Sequence, residues 1–146
     1  MKSKTIRKTA VRPIKDLKDL LTQSCNLYGS KNAFYVKADG QNYKGITYNE
    51  FKSDVDSLGT ALLHLGLKNK FIAVIGENRY EWCVTYMATA NGVGVIVPLD
   101  KELPTAELEN LLRRSSASAI VYSGKHHEQL IEISKNVSHI NYFINM

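Results

Sequence analysis

Four short apolar runs in the second half of this sequence constrain its fold more than any other feature. They are Phe71 to Gly76, Val93 to Val97, Ala119 to Tyr122 and Ile140 to Ile144, with helix-length segments between them. The first is apolar at every position before its glycine, the pattern of a strand covered on both faces in a parallel sheet. Parallel neighbours need crossover connections of a dozen or more residues. Strand and helix alternating three times therefore predict right-handed βαβ crossovers: an α/β fold with a partial doubly wound, mainly parallel sheet and flanking helices.

The helical segments carry their own signals. Asn78 with Glu81 predicts a capping box, opening a helix through Trp82, Cys83, Val84, Tyr86, Met87, Ala88 and Ala90. That helix is apolar almost all round, so Trp82, Tyr86 and Met87 are expected to be buried between the sheet and another layer. Pro104 suits the first turn of a helix running to Ser115, where a missing amide hydrogen leaves no bond unmade. A last helix is expected from His127 to Asn136. Because Met146 follows directly on an apolar strand pattern, the sheet is expected to be unfinished.

The first half differs. Ile14, Leu17, Leu21, Cys25 and Tyr28 recur at steps of three and four before Gly29, which predicts an amphipathic helix. From Ala33 to Tyr48, two extended runs flank Asp39-Gly40 and read as a β-hairpin. Thr47 and Glu50 form a second capping-box pattern. The helix it opens presents Tyr48, Phe51, Val55, Leu58, Leu62 and Leu65 as one apolar stripe, with His64 on the polar side.

A chain of 146 residues amounts to roughly one domain, and its 44% apolar and 23% charged content excludes disordered, collagen-like and disulfide-scaffold classes. No apolar run approaches the roughly 18 residues that span a bilayer, and Met1 to Arg12 lack a signal-peptide core, so a cytoplasmic location is expected. The formal charge of +5 is unevenly placed. Lys2, Lys4, Arg7, Lys8, Arg12 and Lys15 stand among residues 1–15 without an acid, while the rest holds 13 basic and 14 acidic residues. The organisation read from this is a basic arm, 1–15, leading into a neutral body, 16–146. Six charges spread over fifteen residues without an aromatic argue against nucleic acid and allow at most a weak peripheral contact with a membrane. Cys25 and Cys83 lie far apart inside helical segments and read as small buried hydrophobes.

In an open parallel sheet, ligands collect beyond the carboxyl ends of the strands. Three loops qualify, and their candidate groups are Asn78 and Arg79, then Asp100 and Lys101, then Ser123, Gly124 and Lys125. The plain alternative for each is capping and solvation. His126 and His127 point in different directions on a helix and lack a third ligand, so no metal site is assigned. No dinucleotide fingerprint, Walker-type loop or nucleophile elbow is present. No catalytic residue is assigned.

Three stretches resemble the N-terminal portion of AMP-forming acyl-CoA synthetases, members of the adenylate-forming, AMP-binding enzyme superfamily. They are Ile46-Thr47-Tyr48-Asn49-Glu50-Phe51, Gly76-Glu77-Asn78-Arg79-Tyr80-Glu81-Trp82, and Gly92-Val93-Gly94-Val95-Ile96-Val97-Pro98-Leu99-Asp100. Order and spacing agree from about Leu17 to Ser123, although the Gly92 to Pro98 interval is a residue longer than the commonest family form. The resemblance implies a long-chain fatty acid–CoA ligase, which joins fatty acid and coenzyme A with ATP and Mg²⁺ and releases AMP and pyrophosphate. It also implies that 16–146 is an incomplete N-terminal subdomain. The family's phosphate loop and catalytic lysine lie in later motifs, so none of its catalytic residues transfers here and the chain alone is expected to be inactive, with no cofactor of its own. The expected partner is the remainder of the enzyme or another copy of this chain, in a homo-oligomer. A different class also fits: a self-standing interaction or regulatory module that kept the family's opening fold.

Overall fold

The computed structural model describes residues 12–146. Most of the basic arm therefore lies outside the described residues. The elements run α1 (Leu17–Tyr28), β1 (Asn32–Lys37), β2 (Tyr43–Thr47), α2 (Tyr48–His64), β3 (Phe71–Ile75), α3 (Tyr80–Ala88), a π turn (Thr89–Val93), β4 (Val95–Pro98), α4 (Thr105–Ser115), β5 (Ala117–Tyr122), a 3₁₀ turn (Gly124–His126), α5 (His127–Ser134) and β6 (Tyr142–Asn145). The second half forms a four-stranded sheet of order β4-β3-β5-β6 with every neighbouring pair parallel. The first half contributes the antiparallel hairpin β1-β2.

The apolar run at β3 does what its pattern requires. Ile72, Ala73, Val74 and Ile75 are all fully buried, and successive side chains enter opposite cores. Ala73 and Ile75 join Ile120 and Tyr122 of β5 against Leu108 and Leu112 of α4 and Leu130 and Ile133 of α5. Ile72 and Val74 join Ala119 and Val121 against Leu62 of α2, with Leu67 and Val93 alongside. A third cluster, Leu21, Phe51, Val55, Val84 and Ala88, binds α1, α2 and α3 to one another.

The Thr47–Glu50 box forms in full. Thr47 Oγ1 accepts the Glu50 amide at 3.2 Å, and the Thr47 amide donates to Glu50 Oε2 at 2.7 Å. Several expectations need correction. Leu65 caps the end of α2 rather than extending its stripe and is exposed, while Leu67 turns inward instead. Ile14 precedes α1 and is exposed. The strand expected at Val93 begins at Val95, because the chain first closes a π turn through Gly92 at φ +134°, a conformation suited to glycine. Gly94 then passes so close to Lys70 that a Cβ would stand 2.1 Å from its carbonyl oxygen. Pro104 is the N-cap of α4 rather than a member of its first turn. Ile140 is buried but precedes β6.

Candidate functional site

β3 is followed by α3, which packs with α2 on one face of the sheet, and β5 is followed by α5 on the other. Strand order thus reverses between β3 and β5, and a crevice opens beyond their carboxyl ends, where ligands gather in open α/β sheets. Gly76 permits this approach. A Cβ there would stand 3.1 Å from Ser123 Cβ. Glu77, one residue on, receives the Lys125 ammonium at 2.8 Å across the crevice.

This crevice forms one end of a cleft of about 1020 Å³ whose other wall is the hairpin. Phe34, Val36, Ile46 and Trp82 make its surface largely apolar, and Glu77, Asn78, Arg79, Glu81, Ser123 and Lys125 supply the polar groups. Phe34 holds the hairpin in place by packing edge-on against Phe51 at 4.8 Å and Tyr80 at 5.3 Å between ring centroids. Tyr80 in turn donates its hydroxyl hydrogen to Asp54 at 2.6 Å, and burial together with that carboxylate raises its pKa.

The electrostatics are those of two closed ion pairs. The Lys125 ammonium, then the Ser123 hydroxyl, hold the Glu77 carboxyl down at about 2. Ser123 itself is buried, and its Oγ stands near that carboxylate without a hydrogen bond of full geometry. Arg79 Nε donates to Glu81 Oε2 at 2.7 Å, which lowers the carboxyl pKa and raises that of the guanidinium. A carboxylate at about 2 is a poor general base at neutral pH, where catalytic groups are poised near the working pH.

Five of the seven loop candidates meet here: Asn78, Arg79, Ser123, Gly124 and Lys125. Asp100 and Lys101 do not line the cleft. Their loop leaves β4, on the far side of β3, where Asp100 Oδ1 accepts the Glu102 amide at 2.9 Å and Lys101 pairs with Glu102. The expected Asn78–Glu81 box is absent. Arg79 is the N-cap of α3 and no side chain caps it, so Glu81 falls a position too early and bonds Arg79 instead. Trp82 is half-buried, stacked on Tyr86 at 5.5 Å, because only Val84, Thr85 and Ala88 of α3 face inward. Both cysteines are likewise half-buried: Cys25 Sγ donates to the Tyr48 carbonyl at 3.2 Å, and Cys83 lines the cleft. Glu77 and Glu81 were not among the sequence candidates. Glu81 lies two residues from its partner and could have been paired from sequence, whereas Glu77 and Lys125 are joined only by the fold.

Residues 21–144 match the family model described as AMP-binding enzyme. This chain belongs to that family. Similar curated proteins include fatty acyl-CoA synthetase A of Dictyostelium discoideum, 32% identical over 99 residues that make up 66% of this chain and 15% of the relative. Long-chain-fatty-acid–CoA ligase 5 of Rattus norvegicus is 31% identical over 84 residues, 56% of this chain and 12% of the relative. The chain therefore spans only a small part of the length of these relatives. Solved structures of other ligases share the fold. The anthranilate CoA ligase AuaEII, solved with anthranoyl-AMP, superposes with a TM-score of 0.82 at 15% identity, covering 93% of this chain and 26% of that one. A long-chain-fatty-acid-CoA ligase, FadD1, from Archaeoglobus fulgidus gives 0.80 at 17% identity, covering 94% and 28%. The AMP-binding match confirms the resemblance read from the three sequence stretches.

Proposed function

We propose that this chain is the N-terminal structural part of an ATP-dependent acyl-CoA synthetase of fatty acid metabolism. The observation that carries the reading is the family match over 21–144 together with curated relatives that are fatty acyl-CoA synthetases and ligases. The reaction of such an enzyme joins a fatty acid to coenzyme A and releases AMP and pyrophosphate. Its chemistry asks for positive charge or Mg²⁺ against the phosphates.

The described residues meet that demand poorly, since only Lys37 of the three cations lining the cleft is without a carboxylate partner among the described residues. Arg79 and Lys125 are each engaged by a carboxylate, and among the described residues no three His, Cys, Asp or Glu side chains come together to hold a metal ion. The role proposed for them is to carry the sheet and its crevice, with the phosphate chemistry supplied elsewhere in the enzyme. On this reading the partner is the remainder of such an enzyme or a second copy of this chain, meeting it at the β6 edge. The place of work is the cytoplasm. Among the described residues no helix is long and apolar enough to cross a membrane.

Fatty acid-dependent exchange of pyrophosphate into ATP tests the reading. The chain by itself is expected to give none, and measurable exchange would overturn the structural role. Sedimentation over a hundredfold range of concentration tests the partner: association is expected, and a monomer throughout contradicts a second copy.

A further inference from the structure

The cleft is lined by Phe34, Tyr35, Val36 and Lys37, four successive residues of one strand. Side chains alternate between the two faces of a strand, so a cavity touching all four runs along its edge rather than over one face. The hydrogen-bond phase of the hairpin agrees. Ala38 donates to the Asn42 carbonyl at 2.8 Å, and the register pairs Val36 with Lys44 and Phe34 with Ile46. Bonded and non-bonded pairs alternate in an antiparallel ladder, so Phe34 and Val36 bond β2 while Tyr35 and Lys37 turn their N–H and C=O outward. Among the described residues β1 has β2 as its sole neighbour, and the outward groups of Tyr35 and Lys37 make no backbone bond.

We infer that this cleft is a strand-addition site, in which an extended segment of another polypeptide pairs with the free edge of β1. Main-chain bonds to Tyr35 and Lys37 hold it, and the opposite wall, Asn78 to Cys83 with Ser123 to Lys125, closes over it. At ~3.3 Å per residue, about six residues match the length of β1. Side chains on one side of that segment meet Phe34, Val36, Ile46 and Trp82, which selects apolar residues. Charge selects the others. Three cations line the cleft, Lys37, Arg79 and Lys125, against two carboxylates, and each carboxylate is already engaged by Arg79 or Lys125. Lys37 has no ion-pair partner among the described residues, so the segment it favours alternates apolar with acidic side chains.

The probe is a capped, fluorescent hexapeptide of alternating valine and glutamate, added to the whole chain. Fluorescence anisotropy is expected to show saturable binding, and amide exchange of Tyr35 and Lys37 is expected to slow about tenfold or more while Phe34 and Val36 are unchanged. Lys37→Glu is expected to weaken binding roughly fivefold, as loss of an exposed charge pair does, and a valine–lysine peptide to recover it. Tyr35→Pro removes one outward donor but no rung to β2 and is expected to abolish binding. No saturation up to about 1 mM peptide, or binding that leaves Tyr35 and Lys37 unprotected, would overturn the proposal. A dimer dissolved by Tyr35→Pro, without peptide binding, would overturn it in favour of a second copy on the same edge.

Discussion

β3 and the hairpin are built from similar residues and meet different fates. Every residue of β3 from Ile72 to Ile75 is fully buried, whereas in β1 Tyr35 is 68% exposed and Val36 half-buried. The cause is the number of covering layers. β3 has helices on both faces and strands on both edges; β1 has helices on one face, through Phe34, and one strand neighbour. A strand buried all round can only be a scaffold, whereas one with an open edge keeps backbone groups available for recognition.

Truncating equivalent side chains in the two regions separates their contributions to stability. Ile120→Ala, beside β3, removes a fully buried side chain and is expected to lower stability by about 3–4 kcal/mol in denaturant titration. Val36→Ala on the hairpin is expected to lower it by only about 1 kcal/mol. Equal losses would mean that the hairpin belongs to the same cooperative core.

Trp82 lies between the two regions, packed partly on the sheet and partly facing the cleft. Its truncation to alanine is expected to reduce stability by about 1–2 kcal/mol, less than a fully buried aromatic would. A loss above about 3 kcal/mol would move α3 wholly into the scaffold.

The smallest effect is electrostatic. With Glu77 held at about 2, the stability its pairing gives is present above the ordinary carboxylate range and is lost as pH falls through about 2. Lys125→Met is expected to bring the Glu77 carboxyl back up towards the ordinary range in a carbon-detected NMR titration. Because Lys125 is 80% exposed, stability at neutral pH should change by less than about 1 kcal/mol. An unmoved Glu77 would assign its low pKa to Ser123 and the backbone instead.

The features legible along the chain are local or periodic. The apolar runs placed β3 and β5 and made the sheet parallel, the Thr47–Glu50 spacing specified a cap that forms in full, and three motifs marked the family. Capping at Asn78 failed because α3 starts a residue later, with Arg79 at the N-cap, which takes Glu81 out of the third helical position and leaves it bonded to Arg79. The burial of Trp82 was equally illegible, since a short helix that is apolar all round does not say which side meets the sheet. The cleft has no such local signal and arises from long-range packing. That packing brings Phe34, Glu77 and Lys125 together from positions far apart in the chain, and selects Ser123 to Lys125 over Asp100 and Lys101 by placing β5 rather than β4 at the reversal of strand order. Pairing of that kind is fixed by which strands become neighbours, a choice made by burial of the whole sheet and written in no single segment.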